Sequence, residues 1–262
     1  MTTVPFLEAE HPVAMAHRGS SVLWPENTIY AFDQALTGLG FRYIELDVRC
    51  SSDRVPMVFH DATLQRTTSG TGGIADWPAS DLVRLDAGYR HEIEGEHPFR
   101  GQGMTIPTLE ELLATYPGAY LNIDLKAGGI EWEVAEVIRR SAAEHRCLIG
   151  SFHDARIHRF RRITKGRVAV SAGPRAVAAM YALSRLRLGM SRYPAFQLPH
   201  HLSALRIDQR LVAAVHGAGA QLHLWTVNEP EDMQRYLDLG VDGIISDRPD
   251  LLRHVIEGRR GG

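Results

Sequence analysis

Short β-like runs alternate with amphipathic helical stretches from one end of this chain to the other, and that alternation limits the fold to parallel α/β architectures. The strand-like runs are Val13–Gly19, Tyr43–Cys50, Ala119–Lys126, Cys147–Phe152, Arg167–Gly173, Ala195–His200, Gln221–Val227 and Gly243–Ser246. Helical patterns at Asn27–Leu39, Thr108–Tyr116, Ile130–His145, Ala155–Lys165, Pro174–Leu188, Ile207–Ala218, Glu229–Leu239 and Asp250–Ile256 separate and close them. Eight strand–helix units in 262 residues, without a linker or a shift in composition, predict a single (β/α)8 TIM barrel over residues 1–262. A doubly wound open sheet is the alternative, because periodicity does not show closure. Thr108-Leu-Glu-Glu111 reads as a capping box, and Asn228 before Glu229-Pro230 as a helix cap. The stretch about 61–107 is too long for a connection and reads as an insertion over one barrel mouth. Its aromatics Trp77, Tyr89 and Phe99 serve either to pack it down or to meet substrate.

Active sites of such barrels lie at the C-terminal strand ends, and the unusual polar residues collect there. They are His17-Arg18-Gly19, Glu45-Leu46-Asp47, His60-Asp61 after the β-like run Val55–Phe59, Asp124-Leu125-Lys126, Trp225 and Asn228. In Tyr43–Arg49, Ile44, Leu46 and Val48 share one face while Glu45, Asp47 and Arg49 share the other. Leu121, Ile123 and Leu125 likewise oppose Asn122, Asp124 and Lys126. The apolar faces should meet the surrounding helices, which turns Glu45, Asp47 and Asp124 into the barrel. Buried carboxylates need a counter-charge. With only hard oxygen donors, one divalent ion, Mg2+ or Ca2+, fits better than zinc; ion pairing with Arg18, Arg49 and Lys126 is the alternative. His17 and His60 suit general acid–base catalysis. Arg18 and Lys126 suit a phosphoryl group, and Trp225 either walls the substrate site or belongs to the core.

In this order these motifs resemble the glycerophosphodiester phosphodiesterase family of bacterial type. The resemblance also rests on Pro25-Glu26-Asn27-Thr28, Ala62-Thr63-Leu64 with Arg66-Thr67-Thr68, Trp225-Thr226-Val227-Asn228 and Gly240–Pro249. It implies the barrel with an insertion after the second histidine, catalysis by His17 and His60, and metal ligation by Glu45, Asp47 and Asp124. The family's usual residue at the last position is Glu, one methylene longer than Asp124. Glu26 is expected to order the first loop and Arg18. The implied reaction is metal-dependent hydrolysis of a glycerophosphodiester to glycerol 3-phosphate and an alcohol. Alternatives are phospholipase D-like action on lysolipids or sphingolipids, and a non-catalytic barrel that binds a phosphorylated ligand.

A net charge of −2 gives no electrostatic footprint for nucleic acid, and the basic run from Arg156 to Arg167 reads as a solvated helix face. The partner expected is a small molecule, with no stable membrane insertion; the sequence carries no reading of the oligomeric state. Two cysteines, Cys50 and Cys147, and an N-terminal Met1–Glu10 without signal-peptide character fit a cytoplasmic location.

Overall fold

The computed structural model describes residues 4–8, 11–201 and 206–260; Met1–Thr3, Ala9 and Glu10 of the N-terminal segment read above lie outside them. The strands are β1 (Val13–His17), β2 (Tyr43–Cys50), β3 (Pro56–Val58), β4 (Tyr120–Leu125), β5 (Cys147–Gly150), β6 (Ala169–Val170), β7 (Ala195–Pro199), β8 (Gln221–Trp225) and β9 (Gly243–Ser246). Eight run parallel in the order β6-β5-β4-β2-β1-β9-β8-β7, with β3 antiparallel on β2. A bridge from Ser171 to Ala195, and Ala172 N–H donating to Ala195 O at 2.8 Å, join β6 to β7. The sheet is therefore a nearly closed barrel, which excludes the open alternative.

Period-two alternation sorts the side chains as the sequence predicts. Ile44, Leu46, Val48, Leu121, Ile123 and Leu125 lie in the large core between barrel and helices. The inward residues form layers. At the floor, Tyr43 pairs in register with Met15 and Tyr120. Phe6, from the short helix Pro5–Glu8, plugs this end edge-on to Tyr43 at 5.3 Å, and the Tyr43 hydroxyl donates to Phe6 O at 2.7 Å. One layer up, His17 stands opposite Glu45, and the next pairs Asp47 with Asp124. Hydrophobic packing thus closes one end of the barrel and leaves charge at the other.

Some boundaries move for physical reasons. β1 stops at His17 because Arg18 turns into the left-handed region with φ 54°. The barrel's first helix, after β1, begins at Ile29, capped by Thr28 whose hydroxyl accepts from Ala31 N at 3.1 Å, and passes into π geometry at Gln34–Gly38. The helix expected to reach His145 ends at Arg140. Beyond it, buried Arg146 donates to the carbonyls of Leu113, Tyr116 and Ala119. The Thr108 capping box forms, with Glu111 N donating to Thr108 Oγ1 at 3.0 Å. Asn228 does not cap its helix: Glu229 occupies the cap position, and the Asn228 side chain is engaged by residues 246 and 247 instead. Within the basic run, Arg156 reaches inward to donate to Leu125 O at 2.8 Å, so that helix face is not wholly solvated.

Between β3 and the helix Leu109–Thr115 lie only the short helices Ile74–Asp76 and Ala79–Leu82. Leu64, Ile74, Leu82 and Ile106 give this region its own small core with Met57 and Phe59, and Trp77 packs against it. Phe99 meets Tyr30 of the first helix at 5.6 Å, and Tyr89 stacks under Arg100 at 4.3 Å. Trp77 and Phe99 pack the segment down, whereas the Tyr89 contact stays within it.

His223, on the inner face of β8, is fully buried and donates through Nε2 to Gln221 Oε1 at 3.0 Å. Burial pushes its pKa down to about 4 from an ordinary 6.5. The unfolded chain therefore takes up this proton first. The stability carried by the neutral ring is complete above about pH 6.5 and is lost as pH falls through 4. Between pH 7 and 4.5 we expect His223→Gln to lose about 2–3 kcal/mol less unfolding free energy than the wild type in urea titrations. Parallel losses in the two proteins would show that His223 does not set the acid limb.

Candidate active site

The His17-Arg18-Gly19 turn is shaped by contact. Gly19 has φ 85°, and a Cβ there would lie 2.7 Å from Ala31 Cβ. Only glycine lets the first helix approach this closely, and the approach holds His17 and Arg18 at the mouth.

Each catalytic histidine candidate is oriented by a carboxylate. His17 Nδ1 lies 2.7 Å from Asp247 Oδ1, and His60 Nδ1 lies 2.6 Å from Asp61 Oδ1. Both Asp carboxyls are held below the usual range, where they can only accept. Burial opposes ionisation of each; hydrogen bonds and charge, from His17 at Asp247 and from Arg66 and His60 at Asp61, outweigh it. Nδ1 must then carry the proton in both rings, leaving Nε2 as the nitrogen not engaged by the orienting carboxylate. His17 Nε2 stands 3.7 Å from Glu45 Oε2.

Asp47 is the hub. It is fully buried, receives Asn27 Nδ2 at 2.9 Å, and pairs with Arg18 Nε at 2.9 Å and Lys126 Nζ at 3.0 Å. Lys126 also reaches Asp124 Oδ2 at 2.6 Å. Burial would raise the Asp47 pKa, but Arg18 and then Lys126 hold it low. Glu45 shows the opposite balance: burial, then the charge of Asp47, push it up to about 7. Glu26 accepts from Arg18 Nη1 at 3.0 Å and from Arg66 Nη2 at 2.7 Å, tying the loop after β1 to the segment after His60. Arg49 takes no part in these pairs; its Nε donates to His60 O at 2.7 Å.

The ion-pair network expected as the alternative to a metal therefore forms through Arg18 and Lys126, yet it leaves carboxylate capacity over. Asp124 Oδ1 is buried without a hydrogen-bond partner, and Glu45 is crowded by Asp47. The hard oxygen donors of Glu45, Asp47 and Asp124 suit a divalent ion in kind, but among the described residues their oxygens do not converge to within 4.8 Å of one another.

Trp225, half-buried at the end of β8, meets Phe152 edge-on at 5.5 Å. Phe152 follows β5 and is 56% exposed, so the pair spans the mouth, with Lys126 Nζ 5.3 Å from the Phe152 ring centre. Sequence reading missed Phe152, Asn27 and the role of Asp247. Phe152 looks like one more strand-end aromatic, and Asp247 is 230 residues from the ring it orients.

Residues 17–251 match the model of the glycerophosphoryl diester phosphodiesterase family. The chain belongs to that family. A Mycobacterium tuberculosis relative, "Probable glycerophosphodiester phosphodiesterase 2", is 39% identical over 98% of this chain and 95% of its own. A glycerophosphodiester phosphodiesterase of Caldanaerobacter subterraneus is 34% identical over 95% and 99%. Among solved structures, an Oleispira antarctica phosphodiesterase in complex with the product sn-glycerol-3-phosphate is 28% identical, with a TM-score of 0.75 over 94% of this chain and 97% of that one. As a glycerophosphoryl diester phosphodiesterase family member the chain is an enzyme of the phosphoric diester hydrolase class. Among the described residues, no helix is long and apolar enough to cross a membrane.

Proposed function

We propose that the protein hydrolyses small glycerophosphodiesters to glycerol 3-phosphate and an alcohol by metal-dependent catalysis with two histidines. The observation that carries this reading is the pair of carboxylate-oriented imidazoles, His17 and His60, flanking the Arg18–Asp47–Lys126 cluster. With Nδ1 committed to Asp247 or Asp61, one Nε2 takes the proton of the nucleophile, either water or a glycerol hydroxyl whose cyclic phosphate water then opens, and the other supplies a proton to the departing alcohol. Arg18 and Lys126 face the phosphoryl oxygens, the first through a fork and the second as a point charge. Trp225, with Phe152, walls the substrate. Glu45, Asp47 and Asp124 would hold one Mg2+ or Ca2+, which when bound stabilises charge developing on phosphate and acidifies an attacking water or hydroxyl. Residues 1–262 act as one phosphodiesterase domain, with about 61–107 inserted beside His60. Buried free thiols at Cys50 and Cys147 suit a reducing, cytoplasmic setting.

The test is release of glycerol 3-phosphate from glycerophosphocholine and glycerophosphoethanolamine, with lysolipids in parallel. Activity should vanish with a chelator and return with Mg2+ or Ca2+. Activity that survives exhaustive chelation would remove the metal, and lysolipids as the preferred substrate would overturn the substrate assignment. Asp124→Glu should stay within about tenfold of wild-type turnover, a change near 1.4 kcal/mol in the barrier, whereas Asp124→Asn should bind the ion more weakly by calorimetry. Equal metal affinity in Asp124→Asn and wild type would take Asp124 out of the ligand set.

A further inference from the structure

A second group of donors stands outside the Glu45–Asp47–Asp124 network. His200 and His201 directly follow β7, and Asp232 lies in the first turn of the helix Pro230–Asp238. One ligand atom from each comes within 4.8 Å of the others. The two imidazole rings lie close and tilted, centroids 3.5 Å apart at 43°. His200 is held from two sides: its N–H donates to Trp225 O at 2.9 Å, and its ring meets Tyr236 at 5.7 Å and 89°. Its Nδ1 is buried and has no hydrogen-bond partner. A buried ring nitrogen without a partner costs free energy that coordination would recover.

The chemistry of the set differs from that at the mouth. Two imidazole nitrogens and one carboxylate oxygen match the ligands of three-residue zinc sites, which leave a fourth position for water. Mg2+ and Ca2+ prefer all-oxygen shells and would favour Glu45, Asp47 and Asp124 instead.

We propose that His200, His201 and Asp232 bind one first-row transition-metal dication of the zinc class, separate from the ion of the acidic cluster. Bound there, the ion joins the segment after β7 to the helix after β8. It braces the backbone of Trp225, to which His200 is already hydrogen-bonded.

Metal-free protein is first saturated with Mg2+ and then titrated with Zn2+ by calorimetry, and with Co2+ followed by its visible absorption. The wild type should take up one transition ion in this background. Asp232→Asn and His201→Ala, the first at a partly buried position and the second at an exposed one, should bind it at least about tenfold more weakly and alter the Co2+ spectrum. Glu45→Gln should retain it. The proposal is overturned if wild type and Asp232→Asn titrate alike with unchanged Co2+ spectra, if wild type takes up no ion over Mg2+, or if uptake disappears in Glu45→Gln and survives in His201→Ala.

Discussion

Replacing His17 or His60 by alanine is expected to leave a folded protein that turns over glycerophosphodiesters roughly 100-fold more slowly or worse, the scale of a lost general acid or base. The structure says why folding should survive. Without the His17 ring, Asp247 still accepts from Ser21 Oγ at 2.6 Å and Asn228 Nδ2 at 3.1 Å, so no carboxylate is stranded. His60 is partly solvent-exposed, and Asp61 keeps its Arg66 partner. Circular dichroism and steady-state kinetics on each variant check both halves of the statement. A folded variant with more than half of wild-type turnover would exclude that histidine from proton transfer.

Asp47→Asn should produce the largest combined loss. Its fully buried carboxylate faces Arg18 and Lys126 together. The amide cannot neutralise them, and breaking this buried pairing, which leaves Arg18 only Glu26 and Lys126 only Asp124, costs about 3 kcal/mol. Urea titration should show that loss, calorimetry should show Mg2+ or Ca2+ binding weakened, and turnover should fall with it. Glu45→Gln separates the two effects. Glu45 approaches its nearest charged partner, His17 Nε2, only to 3.7 Å. Its replacement should weaken metal binding while costing little stability in metal-free protein. If Asp47→Asn were as stable as wild type, the ion pairs around it would be incidental to folding.

Much of the fold was legible because its causes are local. Alternation in Tyr43–Arg49 places Glu45 and Asp47 on one side and Ile44, Leu46 and Val48 on the other whatever the rest of the chain does. Thr108 and Glu111 cap their own helix within a single turn. The same locality misled at Asn228, where a cap was expected. Asp247 N and Ser246 Oγ, from the adjoining strand and its end, compete for the Asn228 carbonyl and win at 2.9 and 3.1 Å.

The sequence by itself determined the eight parallel units, the inward carboxylates and the two strand-end histidines, since periodicity and residue chemistry act over a few positions. Only the tertiary structure decided barrel closure, the Phe6 plug and the pairing of Phe152 with Trp225. It alone decided that Asp247 orients His17, and that His200 and His201 meet Asp232. Each of these joins residues far apart in the chain, and the packing of the whole barrel, rather than any local preference, sets the few ångströms on which the chemistry depends.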